Sequence, residues 1–234
     1  MLRHYRRIVT VLFLLVARHA GGADIPWVWH SSHAPDQVTE IALLLDHLIL
    51  SGETVQTRHR MRRIDVDEGV RVTPVVHVQS DMRNLPALNA KQTQVMIDAV
   101  KMAARRSTSG WIQLDFEAME SQKTYYVGLI SRLRRELSPS TKLSVTTLAS
   151  WCFGNNPLKR LEAEEIVPMF FRMGLAGRDY RQALITTPEK LDPSCREQAI
   201  GLAVQEAPPP AVQQRYKRRY WFNYKNWNHF SKGE

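Results

Sequence analysis

One segment, residues 110–121, constrains the fold of this chain more than any other. It reads Gly-Trp-Ile-Gln-Leu-Asp-Phe-Glu-Ala-Met-Glu-Ser, and its first part alternates between two kinds of side chain. Gln113, Asp115 and Glu117 fall on one side of a predicted strand, and the apolar residues between them fall on the other. A helical pattern follows over residues 122–137. A strand that ends in carboxylates and leads into a helix is typical of parallel α/β enzymes, which place their sites at the carboxyl ends of strands. A half-exposed antiparallel strand with solvated acids is the alternative.

Strand and helix patterns alternate through most of the remaining chain. Besides the central segment, strands are predicted at residues 25–30, 70–78, 142–150, 166–173, 199–205 and 219–224. Helices are predicted at residues 89–106, 122–137, 157–165 and 177–184. Residues 41–50 are apolar enough for a helix or a buried strand, and residues 52–63 fit a loop or an edge strand. Seven or eight strands in this alternation favour a single small (β/α)8 barrel of the TIM type over an open sheet. The short later helices predict that its second half is trimmed or irregular.

Residues 1–23 have the pattern of a secretory signal peptide. Arginines precede an apolar run over residues 8–17, and the small residues 21–23 favour cleavage after Ala23. The run is too short to span a bilayer, which takes about 20 residues. We therefore expect a secreted or periplasmic protein without an integral membrane span, in which residues 24–234 form one domain with a short basic, aromatic tail. An uncleaved amino-terminal anchor is the alternative.

Charge and cysteine content bear on the partners of the protein and on its cellular compartment. The leader holds four arginines and no acid, so its removal lowers the net charge from +9 to +5. Basic stretches can bind nucleic acid, but secretion argues against such a partner. Cys152 and Cys195 are the two cysteines of the chain, and an oxidising compartment predicts that they pair. Two buried thiols are the alternative, and the oligomeric state is left open.

Cofactor motifs are absent from the sequence. It contains no P-loop, no Gly-x-Gly-x-x-Gly and no Gly-x-Ser-x-Gly elbow. His30, His33 and His77 could form a metal site with Asp115, but the first two have His-x-x-His spacing on a loop, where a histidine is more often hydrogen-bonded structure. We therefore expect neither a cofactor nor a metal.

The acidic strand resembles the fourth barrel strand of family 18 glycoside hydrolases, the chitinase-like barrels. That family carries D-x-x-D-x-D-x-E there, with the Glu as general acid. Glu117 matches this Glu and Asp115 matches the last Asp, whereas Gln113 and Gly110 stand at the two earlier acids. The family's sixth-strand M-x-Y-D resembles the Met-Phe-Phe-Arg of residues 169–172, without its Tyr and Asp.

The order of motifs is more closely similar to the bacterial secreted domain-of-unknown-function family 3142. That resemblance covers most of residues 25–228, but the family has no assigned reaction. The matching motifs are an early Trp-x-Trp, a Q-x-D-[FY]-[DE]-A strand, a Leu-Arg-rich helix, a strand ending in Ser-Trp and a V-P-M-x-F strand, found here at residues 27–29, 113–118, 133–134, 150–151 and 167–171.

The resemblance implies a glycoside hydrolase-like protein that acts on an envelope or extracellular polysaccharide. Glu117 would be the general acid and Asp115 its charged partner, and the pairing of acids at i and i+2 fits substrate-assisted hydrolysis. In that mechanism the Asp orients the N-acetyl group of the sugar. A non-catalytic carbohydrate-binding pseudoenzyme of the cell envelope is the alternative, because several acids of the family are missing.

Aromatic residues near the strand ends are the candidates for stacking on sugar rings. Trp111, at the start of its strand, is expected in the core instead, and Trp227 lies in the tail. The predicted substrate-binding residues are Gln113, Trp29, Trp151, Met169, Phe171 and Trp221, the last as the aromatic floor on the final strand.

Overall fold

The structure is a computed structural model that describes residues 22–29, 34–154 and 157–225. The leader up to residue 21, His30, His33 and Trp227 lie outside these residues. The predicted cleavage point, after Ala23, coincides with the first residue of the first strand. No helix within the described residues is both long enough and apolar enough to cross a membrane.

A closed barrel of eight parallel strands forms the molecule. The elements in chain order are β1 (Ala23–Val28), β2 (Glu40–Ser51), β3 (Thr54–His59), β4 (Arg71–Ser80), α1 (Ala90–Ala104), β5 (Trp111–Phe116), α2 (Lys123–Glu136), β6 (Lys142–Leu148), β7 (Glu165–Met169), α3 (Gly177–Thr186), β8 (Ala199–Ala203), α4 (Pro210–Gln213) and β9 (Arg218–Phe222). All of the strands except β3 belong to the barrel, which closes because β1 pairs with both β2 and β9. The prediction of a small TIM-type barrel is confirmed.

Departures from a regular barrel occur in both halves. Residues 41–50 form a strand, because β2 is covered on both faces and therefore reads as one apolar run. β3 pairs antiparallel with the second half of β2 and lies at the sheet edge, within the segment predicted as loop or edge. The predicted helix at residues 157–165 is wrong. Only a 3-10 turn forms at Pro157–Arg160, because Glu165 already pairs with Ser144 as the first residue of β7.

Alternation along the strands produces two cores. The outward side chains of β5, Ile112, Leu114 and Phe116, are buried beneath α1 and α2. The inward residues of other strands, among them Ile25, Trp27 and Val167, form a second cluster inside the barrel. The predicted division of the central strand into an apolar outer side and a polar inner side is confirmed.

The predicted disulfide is confirmed. Cys152 and Cys195 are bonded across a sequence separation of 43 residues. Cys152 ends a 3-10 turn that follows β6, and Cys195 ends another shortly before β8. The bridge therefore fixes the irregular half of the barrel, where regular helices are short.

A buried ion network fills the amino-terminal end of the barrel. Arg218 pairs with Glu40 at 2.7 Å and with Glu165 at 2.8 Å. Tyr220 also donates a hydrogen bond to Glu165, at 2.7 Å. Trp111 lies at this end under the guanidinium of Arg218 and does not line the cavity. It is only half-buried, so the expectation that it lies in the core is corrected. The open end of the barrel is therefore the carboxyl end of the strands.

Candidate active site

A cavity of about 500 Å³ opens at the carboxyl ends of the barrel strands. Asp115 and Glu117 are the carboxylate residues among the described residues that line it. The other lining residues are mostly apolar or aromatic: Trp27, Trp29, Leu148, Ala149, Ser150, Met169, Phe171, Arg172, Met173, Gly174, Tyr180 and Phe222. An apolar cavity with a few convergent polar groups is the usual form of a ligand site.

Asp115 is the deeper of the two acids, and both of its oxygens are hydrogen-bonded. Thr146 on β6 donates to Oδ1 at 2.6 Å, and His77 on β4 contacts Oδ2 through Nδ1 at 2.9 Å. The parallel register brings these groups together, because His77 lies directly beside Asp115 on the neighbouring strand. The carboxylate is therefore held in one orientation from both sides.

His77 is buried against a second histidine. Its ring centroid lies 4.8 Å from that of His47 and 4.7 Å from that of Trp29. Burial disfavours the protonated form of His77, but its contacts with the Asp115 carboxylate outweigh this, so the net pKa of His77 is raised. The pKa of His47 is lowered, by burial and by its neighbour His77. Of the two histidines, His77 is therefore the one that binds a proton more readily.

Glu117 follows β5 directly and lies at the exposed mouth of the cavity. Its backbone N–H donates to Val78 O at 3.0 Å, which fixes the chain where the strand ends. Desolvation by the surrounding protein raises the pKa of Glu117, and the nearby Asp115 raises it further, whereas His77 and Arg172 oppose the shift. A raised pKa keeps the proton on Glu117 up to a higher pH than on an ordinary glutamate, and a general acid must carry a proton.

Gln113 lies one layer below the cavity. Its side-chain oxygen accepts a hydrogen bond from Trp27 Nε1 at 2.6 Å, and its amide donates to Ser144 at 3.0 Å. The indole of Trp27 covers it, and Gly201 leaves room for that ring, since an added Cβ would lie 2.9 Å from it. The prediction that Gln113 binds substrate directly is therefore corrected: Gln113 supports Trp27, which does line the cavity.

Two of the three tryptophans predicted for the cleft lie elsewhere. Trp29 lines the cavity. Trp221 faces outward because its neighbours Tyr220 and Phe222 take the inward positions of β9, and its Nε1 donates to Asp24 at 2.9 Å. Trp151 is buried in the outer core, where its ring packs edge-on against Tyr126 at 5.8 Å. The placement of Trp151 and Trp221 in the cleft was wrong.

Met169 and Phe171, also predicted from the sequence, do line the cavity. Phe171 stacks parallel to Phe222, with ring centroids 5.8 Å apart, so Phe222 takes the place on the last strand that was assigned to Trp221. The sequence analysis did not identify Tyr180, which also lines the cavity and stacks on Phe153 with ring centroids 4.9 Å apart. No local pattern in the short helix α3 signals that contact.

Arg172 is the one cationic residue among the described residues that line the cavity, and the sequence analysis did not identify it as a site residue. It has a left-handed backbone, with φ of 50°. Its guanidinium lies over the ring of Tyr224 at 4.4 Å and that of Phe222 at 5.5 Å. The sequence comparison with M-x-Y-D marked the position only as a missing Asp.

The solved structures that have a similar fold include the following three. Putative chitinase A from Streptomyces coelicolor shares 12% identity and a TM-score of 0.53, over 87% of this chain and 92% of that chain. A GH18 chitinase from Pseudoalteromonas aurantia has the same identity, TM-score and coverage of this chain, and 94% of its own chain is covered. A fungal endo-beta-N-acetylglucosaminidase of glycosyl hydrolase family 18 shares 14% identity and a TM-score of 0.50, over 86% and 90% of the two chains.

At these identities the likeness establishes the TIM-type barrel fold and nothing finer. No family model matches the chain, and no curated protein matches it significantly.

Proposed function

We propose that this protein is a glycoside hydrolase that cleaves an envelope or extracellular polysaccharide, with Glu117 as general acid. The observation that carries the proposal is the placement of Glu117 at the mouth of the barrel cavity, with Asp115 on the same strand face below it. The raised pKa of Glu117 supports the assignment, because the acid must hold a proton to deliver it.

The proposed reaction begins with proton transfer from Glu117 to the glycosidic oxygen. The bond from the anomeric carbon to that oxygen breaks, and its electron pair remains on the leaving oxygen. In the substrate-assisted form, the carbonyl oxygen of the sugar's N-acetyl group bonds to the anomeric carbon, and Asp115 stabilises the charged ring that forms. Water then attacks the anomeric carbon and gives a proton to Glu117. The bond from the anomeric carbon to the acetyl oxygen breaks, and its electron pair returns to the acetyl group, so that both the N-acetyl group and the acid are restored.

His77 and Thr146 orient the Asp115 carboxylate for this reaction. Because each holds one carboxylate oxygen, Asp115 keeps its orientation during the reaction without a cost of reorganisation. Trp27, Trp29 and Phe171 supply apolar ring faces on which a pyranose can stack. The likeness to family 18 structures supports carbohydrate as the ligand class. We also propose, on the sequence motifs alone, that the chain is related to domain-of-unknown-function family 3142 and that it is secreted or periplasmic.

The test is hydrolysis of a fluorogenic panel that pairs N-acetylhexosaminides with the matching hexosides lacking the N-acetyl group. Glu117→Gln keeps the side-chain shape and removes the transferable proton, so the rate should fall about 10²–10⁴-fold. Glu120→Gln is the matched control, because Glu120 is exposed, is paired with Lys123 and is absent from the cavity lining. Asp115→Asn should also lower the rate.

Two results would contradict the proposal. Full activity in Glu117→Gln would place the acid elsewhere, and an equal loss in Glu120→Gln would point to a general disturbance of the segment. The alkaline limb of the wild-type pH profile should follow the raised pKa of Glu117, so activity falls as pH rises through it. Faster cleavage of the hexosides than of the N-acetylhexosaminides would exclude the substrate-assisted mechanism but not the role of Glu117 as general acid.

The second candidate is a carbohydrate-binding protein without catalysis. One observation favours it: Phe171 and Arg172 occupy the positions where family 18 has its Tyr and Asp. Both oxygens of Asp115 are also already hydrogen-bonded within the protein. Binding on a glycan panel without product release, at high protein concentration and long times, would identify this function.

A further inference from the structure

Arg172 brings a positive charge to the wall of the cavity that also holds Glu117. It lies three residues beyond the end of β7 and is exposed at the carboxyl end of the barrel. Its charge acts on Glu117, since it is among the groups that lower the pKa of that carboxyl. A ligand in contact with Glu117 is therefore within the electrostatic reach of the Arg172 guanidinium.

Within the part of the chain that the structure describes, no carboxylate forms an ion pair with Arg172. Glu206, which accepts a hydrogen bond from the Arg172 backbone N–H at 3.4 Å, is already paired with the guanidinium of Arg181 and accepts from Tyr224. The other acid of the cavity wall, Asp115, is engaged by His77. When Glu117 carries its proton, the charge of Arg172 is left without a protein counterion.

The position of Arg172 is held by its surroundings at some cost. A φ of 50° is unusual for a residue with a long side chain, and such strain persists where neighbouring structure fixes it. Tyr224 and Phe222 provide that fixation from below, through the faces of their rings. A stacked guanidinium still presents N–H donors along its edge, in a fork that matches a planar or tetrahedral anion.

We propose that Arg172 forms an anion subsite in this cavity, and that the polysaccharide substrate carries a carboxylate, sulfate or phosphate group next to the bond that is cleaved. The inference rests on the proposed function and deepens it by naming the class of sugar. Neutral glycans leave the Arg172 charge unmatched in the complex, whereas an anionic substituent gains a charge-assisted hydrogen bond there.

The test is a binding measurement with three pairs of oligosaccharides that differ only in charge. Hyaluronan tetrasaccharide and its carboxyl-reduced form probe carboxylate, keratan sulfate fragments and their desulfated forms probe sulfate, and a phosphorylated N-acetylglucosamine oligomer and its dephosphorylated form probe phosphate. The wild-type protein should bind the anionic member of at least one pair about tenfold or more tightly at low salt. The pair that responds identifies the anion.

Arg172→Asn is the decisive variant, because asparagine tolerates the left-handed backbone and removes the charge. It should abolish the preference for the anionic member, and Arg172→Lys should keep part of it. Arg178→Gln is the matched control: it removes one positive charge from α3, from a side chain that is 93% exposed and paired with Asp179. It should leave the preference unchanged.

The inference is overturned if none of the pairs shows a preference for the anionic member, whether or not the neutral members bind. It is also overturned if Arg172→Asn keeps the preference. Failure of the proposed hydrolase is a separate result, because binding is measured without turnover. Anion-dependent binding without product would contradict the hydrolase proposal and support the anion subsite. Cleavage of neutral glycans without a charge preference would support the hydrolase proposal and contradict the anion subsite.

Discussion

The contact between His77 and Asp115 sets the electrostatic state of the candidate site. A buried ion pair is costly to break from one side only, because the remaining charge is left without its partner. The raised pKa of His77 means that the folded protein holds this proton more tightly than the unfolded chain does. The stability from the contact is therefore complete below the ordinary histidine pKa of about 6.5 and is lost as pH rises through the folded value.

A double-mutant cycle with His77→Gln and Asp115→Asn tests this contact. We expect a coupling free energy of about 1–3 kcal/mol at pH 5.5, measured by chemical denaturation, and a smaller value at pH 8.5. The matched control is the pair of His59 and Asp46, which are also in contact, at 2.6 Å, but with the histidine side chain 67% exposed. Its coupling should be below about 1 kcal/mol. Equal coupling for the two pairs, or no change with pH, would contradict the account.

Among the elements of the fold, the disulfide lies next to a contact of the cavity rim. Cys152 precedes Phe153, whose ring stacks on the cavity residue Tyr180. The bridge thus joins the loop after β6 to the segment before β8 and holds the Phe153–Tyr180 pair between them.

Replacing both cysteines by alanine should lower the free energy of unfolding by roughly 3–4 kcal/mol, the value that the chain-entropy model gives for a loop of this length. Ligand binding should weaken as well, because Tyr180 loses its fixed neighbour. Chemical denaturation of the double variant, beside the wild type with and without reductant, measures the first effect. Unchanged stability would show that the local packing holds these segments without the bridge.

Most strands, the disulfide and the shared face of the two acids could be predicted from the sequence, because each depends on local alternation or on a single possible pairing. The strand β2 could not, because a run that is apolar on both faces fits a helix equally well. Asp115 and Glu117 lie two residues apart, so one strand places both on one face. The prediction for Trp221 was wrong because closeness to a strand end does not show which residues of the strand face the barrel interior. Tyr220 faces the interior, so Trp221 faces outward. His77 follows the alternation of β4, but its pairing with Asp115 depends on the register between strands, which the sequence does not display.

At the scale of the whole molecule, the barrel has one closed end and one open end. The ion network of Arg218, Glu40 and Glu165 fills the amino-terminal end, and hydrogen bonds continue from Glu165 through Ser144 to Gln113. These groups occupy the inside of the barrel up to Trp27, so a ligand can reach Glu117 only from the carboxyl ends of the strands. The interior is thus a support for the site and not a passage through the molecule.

The most direct test of the central claim is a crystal structure of the Glu117→Gln variant with an oligosaccharide that the wild-type protein binds. We expect a sugar in the cavity, a glycosidic oxygen at about 3 Å from the side chain of residue 117, and a pyranose ring against Trp29 or Phe171. A sugar bound outside the cavity, or one whose glycosidic oxygens all lie beyond the reach of residue 117, would contradict the claim that Glu117 is the general acid.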